Sequence, residues 1–170
     1  MIEVINIDLL LYILGDIFIS NWKTNKVKDM GNIFSNCLKL NELPDISKWN
    51  TNNVINMENM FLSCESLKNL PDISKWDTSN VISIQSMFSK CFKFEYMPDI
   101  SKWNTSKLIY ASDLYFLCPS LLNYPKIPNI NNNNAIEENE IKTNKSNNFF
   151  SDYLENVLIP LGNNPLDTSF

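Results

Sequence analysis

The octet LPDISKWN at positions 43–50 recurs as LPDISKWD at 70–77 and as MPDISKWN at 97–104, each copy 27 residues after the last. A fixed period of this size marks a chain folded as repeating coils that must stack, because one coil alone cannot bury its apolar side. The register extends well beyond the octet. Trp22, Trp49, Trp76 and Trp103 keep the step, as do Phe34, Phe61, Phe88 and Tyr115, and then Cys37, Cys64, Cys91 and Cys118. Ile19, Ile46, Ile73 and Ile100 follow it too, with Thr24, Thr51, Thr78 and Thr105 and with Val27, Val54, Val81 and Leu108. No insertion or deletion interrupts the four copies, and a fifth begins at Tyr124, Pro125 and Ile127 before the pattern stops.

Inside one unit the apolar spacing has two regimes. SLKNLPDI (66–73) is extended and carries Pro71, which forbids a helix interior and suits a short strand or bend. From Ser83 to Lys90, Ile84, Met87 and Phe88 stand at i, i+3 and i+4, the stripe of a short helix. DTSN (77–80) lies between them, and such side chains bond nearby backbone and favour turns and caps. The fold expected is an α/β repeat of about four coils, each a short strand, a turn and a short helix, with Trp, Phe and Cys stacked over their own copies.

At the level of whole units, SLKNLPDISKWDTSNVISIQSMFSKC (66–91), with its PDISKW, TSNV and MFSKC segments, resembles the repeats of BspA-like leucine-rich-repeat surface proteins. The resemblance covers roughly residues 13–127. It implies a right-handed leucine-rich-repeat-like solenoid in a non-enzymatic protein-interaction or adhesion scaffold at a cell surface, and it carries no catalytic residue. The last unit, LIYASDLYFLC (108–118), departs from the pattern by placing Leu114 and Tyr115 at the Met-Phe pair. A structural spacer without a specific ligand is the alternative reading.

Four segments are expected: an apolar N-terminal cap at 1–18, the repeats at 19–127, an Asn-rich linker at 128–150, and a short helix with its tail at 151–170. An F-box-like helix is the alternative for the first, on IDLLLYILGDIF (7–18). LLLYILGDIFI (9–19) contains Asp16 and is much shorter than the ~20 apolar residues of a membrane span, so no membrane insertion and no secretion signal are read there. NINNNNAIEENEIKTNKSNN (129–148) has the polar composition of a disordered linker. In the last segment Leu154, Val157 and Leu158 make an apolar face that either folds back on the repeats or binds a partner.

Composition excludes several function classes. The basic residues are 14 Lys with no Arg against 19 Asp and Glu, giving a net charge of −5, the wrong balance for a nucleic-acid binder. His is absent, which removes the commonest general base and metal ligand and leaves Ser47, Ser74 and Ser101 without an activating partner. Three Gly supply no phosphate-binding loop. No cofactor, metal or catalytic residue is expected.

The four Cys lack the paired spacing of a zinc site and sit at core-facing positions, so a buried, reduced row is the first reading and bridging between neighbouring coils the second. The Trp row reads as partly buried core at a corner of the coil, with a stacking platform for a ligand as the alternative. Asp45, Asp72 and Asp99 form a row of like charge that Lys48, Lys75 and Lys102 would counter, a cation site being the alternative. These two rows, with Asn53 and Asn80, are the candidate binding face for a protein partner.

Overall fold

The computed structural model describes residues 19–128. Among the described residues, 2% are helical and 5% are in strands, which overturns the expected α/β leucine-rich-repeat-like solenoid of strands and helices. The coils are built instead from consecutive turns, tied to one another by backbone hydrogen bonds and by side chains that reach one coil away. The expected segments at 1–18 and 151–170 lie outside the described residues, as does all but Pro128 of the expected linker.

The supposed helix shows why the stripe misled. Asn59, Ser63, Ser86 and Lys90 adopt φ of 57°, 59°, 53° and 61°, and Asn32, Asn36, Asp113 and Leu117 take the equivalent places in the flanking coils. A left-handed residue ends any helical run, and Asn accepts that conformation more readily than most side chains. Alternate N–H groups consequently serve two different purposes. Ile84, Ser86, Phe88 and Lys90 donate to the carbonyls of Tyr110, Ser112, Leu114 and Phe116 in the next coil, at 2.9, 2.9, 3.0 and 2.7 Å. Met87 and Ser89 donate within the coil, to Ile84 and Ser86 at 3.2 and 3.1 Å. The inward side chains still fall at i, i+3 and i+4, so hydrophobic periodicity cannot separate this chain of turns from a helix.

The supposed strand fails for a different reason. Pro71 has no N–H to give, and the segment around it pairs with its copy through one parallel bridge, Asn69 to Tyr96. A second line of single parallel bridges joins Asp29, Asn56, Ser83 and Tyr110 in succession. Asp29 and Asn56 each also receive the N–H two residues on, Gly31 at 2.8 Å and Glu58 at 3.0 Å, and so start the run of turns. A Cβ on Gly31 would lie 2.7 Å from the Asn56 amide nitrogen, which itself donates to Asp29, so a side chain here would displace that amide, although the equivalent positions carry Glu58, Gln85 and Ser112.

Side chains complete the links between coils. Thr51 and Thr78 are buried, and their hydroxyls donate to the carbonyls of Asp77 and Asn104, 26 residues on, at 3.0 and 3.1 Å. Thr105 finds its acceptor at Pro128 instead, where the fading fifth copy has lost register. Trp49, Trp76 and Trp103 are 3–4% exposed, more deeply buried than a corner position suggested, while Trp22 is half-buried. Burial is tolerated because each indole N–H donates to an Ile carbonyl 30 residues back, Trp76 to Ile46 and Trp103 to Ile73, both at 3.1 Å.

The core is therefore a set of parallel rows. Phe34 and Phe61 stack at 5.2 Å, Phe61 and Phe88 at 5.5 Å, and Phe88 and Tyr115 at 6.0 Å. Trp22, Trp49 and Trp76 stack at 5.8 and 6.3 Å. The four Cys are buried and unbridged, and the thiols of Cys64, Cys91 and Cys118 point at the carbonyls of Phe34, Phe61 and Phe88. Burial raises the pKa of the Cys91 thiol, so it stays protonated and inert.

Candidate binding surface

Rows that are uniform inside are also uniform outside, so the fold displays fixed lines of exposed side chains. Asp45, Asp72 and Asp99 form one such line, each accepting the N–H of the Ser two residues on at 3.0, 3.0 and 2.9 Å. Ser47 and Ser74 hold the Asp45 and Asp72 carboxyls below the usual range, chiefly through their hydroxyls; for Asp99 the Ser101 N–H comes first. All three are ionised at neutral pH.

The Lys row counters this charge unevenly. Lys48 reaches Asp45 at 3.9 Å, with both side chains largely exposed. Lys75 and Lys102 act on Asp72 and Asp99 only from beyond that distance. The remaining candidates, Asn53 and Asn80, hold the coils together: their amides donate to Asn25 and Asn52 carbonyls of the preceding coil, both at 2.8 Å. Asn80 also accepts from the Lys107 ammonium at 2.6 Å.

Sequence reasoning missed a second line. Ile55, Ile82 and Ile109 lie on successive coils, and each of the later two donates its N–H to the carbonyl of the one before at 2.8 Å. Ile55 is 39% and Ile109 49% exposed, with Ile82 half-buried between them and Tyr110 exposed beside them at 55%. The available signal was the apolar pair at each step, Val54-Ile55, Val81-Ile82 and Leu108-Ile109, of which the first member faces inward in every case. Adjacent residues on extended backbone point to opposite sides, so the second faces out.

A shallow open groove of about 320 Å³ lies elsewhere on the surface, where the Asn69–Tyr96 bridge joins two coils. It is lined by Leu70, Pro98 and the buried Met97, with Asn69, Tyr96, Asp72 and Asp99 around them. Asn123 clamps the Met97 backbone from the next coil, accepting its N–H at 2.9 Å and donating to its carbonyl at 2.8 Å. Among the described residues, no group of three or more Asp, Glu, Cys or His could hold a metal ion, and no helix is long and apolar enough to cross a membrane.

A family model described as a Mycoplasma protein of unknown function, DUF285, matches residues 14–124 and 44–150. No curated protein and no solved structure matches the chain.

Proposed function

The chain belongs to the DUF285 family of Mycoplasma proteins of unknown function, and we propose that within it this protein is a non-enzymatic scaffold that binds another protein. The observation that carries this reading is the line of Ile55, Ile82 and Ile109, joined by backbone bonds between coils, with Tyr110 exposed at the next position. Contiguous exposed apolar side chains are costly in water, and with polar neighbours around them they mark interaction surfaces. Tyr adds a large, amphipathic contact of the kind enriched in interfaces. The line is fixed by main-chain bonds before any partner arrives, so binding costs little ordering entropy.

An adhesive role at a cell surface belongs to the same proposal, and the likeness of the PDISKW and MFSKC units to BspA-like surface repeats supports it by analogy. A photoreactive residue placed at Tyr110 in the native cell tests the reading. One discrete crosslinked protein is expected, lost when Ile82→Lys and Ile109→Lys are introduced together. Crosslinking that yields no discrete species, with the chain expressed and folded, overturns it and leaves the spacer.

A further inference from the structure

The groove between the second and third PDISKW copies joins three features that act together on one kind of guest. Its apolar lining comes from Leu70 and Pro98 beside the buried Met97, the half-exposed Tyr96 lines it too, and Asp72 and Asp99 line it one coil apart. We propose that this groove receives a Lys or Arg side chain from a basic segment of the protein partner, its aliphatic stem on Leu70 and Pro98 and its cationic head between Asp72, Asp99 and the Tyr96 ring. The proposal rests on the protein-binding reading but uses a different face from the Ile line.

Charge complementarity argues for this guest. One oxygen of each carboxylate is occupied by a Ser N–H, which fixes the side chain, and no ammonium of the described residues lies within 4.0 Å of either group. Asp45, in the preceding copy, has Lys48 at 3.9 Å and lies outside the groove. Lys and Arg carry long apolar stems that pack on hydrocarbon while the head stays polar, and a cation over a tyrosine face gains further attraction. The 27-residue step places Glu42, Asn69 and Asn123 where Tyr96 stands, so the aromatic wall occurs in this copy alone. Asn123 holds the Met97 backbone from behind, so this part of the groove is formed before a guest enters.

The groove can be discharged without unfolding it. Asn50 and Asn104 make the same two-residue turn with an amide oxygen, accepting the N–H of Asn52 and Ser106 at 3.1 Å in both cases. Asp72→Asn and Asp99→Asn therefore keep the turn and remove only charge. The full 170-residue chain is titrated with two synthetic dodecapeptides of equal apolar content, one carrying four Lys and the other four Glu, by calorimetry and by amide chemical shifts. The Lys peptide is expected to bind, with shifts centred on Asn69, Tyr96 and Asp99, and the Glu peptide not to bind. The double Asn variant should stay folded, with at most a modest fall in melting midpoint from the lost charges, and should weaken association at least tenfold. Tyr96→Ala should weaken it too, Tyr96→Phe should retain it, and Asp45→Asn should leave it unaltered. The proposal is overturned if the Lys peptide fails to bind, if Asp45→Asn weakens binding as much as the groove variants, or if a neutral oligosaccharide shifts the same amides and competes with the peptide. In each of those cases crosslinking at Tyr110 still reports separately on the scaffold reading.

Discussion

Replacing Phe61 by Ala removes a ring that is fully buried and stacked on both sides, against Phe34 at 5.2 Å and Phe88 at 5.5 Å. Truncating a buried Phe costs about 3–5 kcal/mol through lost transfer energy and the cavity left behind. Phe61 should lie toward the upper part of that range. Each stacked pair adds about 0.5–1.5 kcal/mol beyond its area, and its neighbours are locked by bonds between coils, Phe34 N–H to Met60 and Phe88 N–H to Leu114, so they cannot collapse into the void. With a urea slope of about 2 kcal/mol per molar, a loss near 4 kcal/mol lowers the midpoint by roughly 2 M. Lys75→Ala, at an exposed position, should stay within about 0.5 kcal/mol of the parent. Urea melts followed by tryptophan fluorescence give both numbers. If Phe61→Ala shifts the midpoint no more than Lys75→Ala does, the aromatic row is not the interior of this protein.

Thiol labelling should find Cys37, Cys64, Cys91 and Cys118 free yet slow to react until denaturant is added; fast native labelling of all four would contradict their burial. Acid should destabilise the fold in a defined window. Hydrogen bonds from the Ser two residues on hold the Asp45, Asp72, Asp77 and Asp99 carboxyls below their ordinary pKa in the folded state, so between the folded and unfolded values the unfolded chain binds more protons. Their contribution is present above about pH 4 and is lost as pH falls through the folded values. A melting midpoint that stays flat from pH 5 to pH 2 would show that these turns add nothing. Asn80→Ala removes two hydrogen bonds across coils and should cost about 1–2 kcal/mol by the same urea assay, whereas a binding-face residue with no structural part would cost nothing.

Much of this architecture is legible in the residues, and the rest is hidden for identifiable reasons. Identity at a fixed step places Phe34, Phe61, Phe88 and Tyr115 in one environment, because each must meet its own copy. That inference needs no knowledge of the backbone. Whether the backbone between Ser83 and Lys90 is a helix does need it, and Ile84, Met87 and Phe88 fit both answers. The deciding positions are Ser86 and Lys90, whose left-handed backbone no composition rule for Ser or Lys announces; only Asn32, Asn36 and Asn59 hinted at it. At the surface, Asp45, Asp72 and Asp99 are legible because they repeat, whereas Ile55, Ile82 and Ile109 repeat too but share the apolar character of core residues. Asn53 and Asn80 repeat just as faithfully, but their conserved spacing within the chain serves the coil beneath them. Tyr96 breaks the repeat, and repetition therefore could not reveal the wall of the groove.

The central claim is that consecutive turns with left-handed residues form each coil, and Ser86 tests it most directly, at φ 53° in the middle of the supposed helix. Glycine and alanine are each placed there and the two variants compared, which cancels the serine side chain. In a left-handed position alanine carries about 1–2 kcal/mol of strain that glycine lacks, offset by about 0.5–1 kcal/mol of extra unfolded-state entropy for glycine. Ser86→Gly should then be the more stable of the pair, by up to about 1.5 kcal/mol. In a helix interior the sign reverses, and alanine wins by about 1 kcal/mol. A urea melt in which Ser86→Ala is clearly more stable than Ser86→Gly would contradict the turn-built coil.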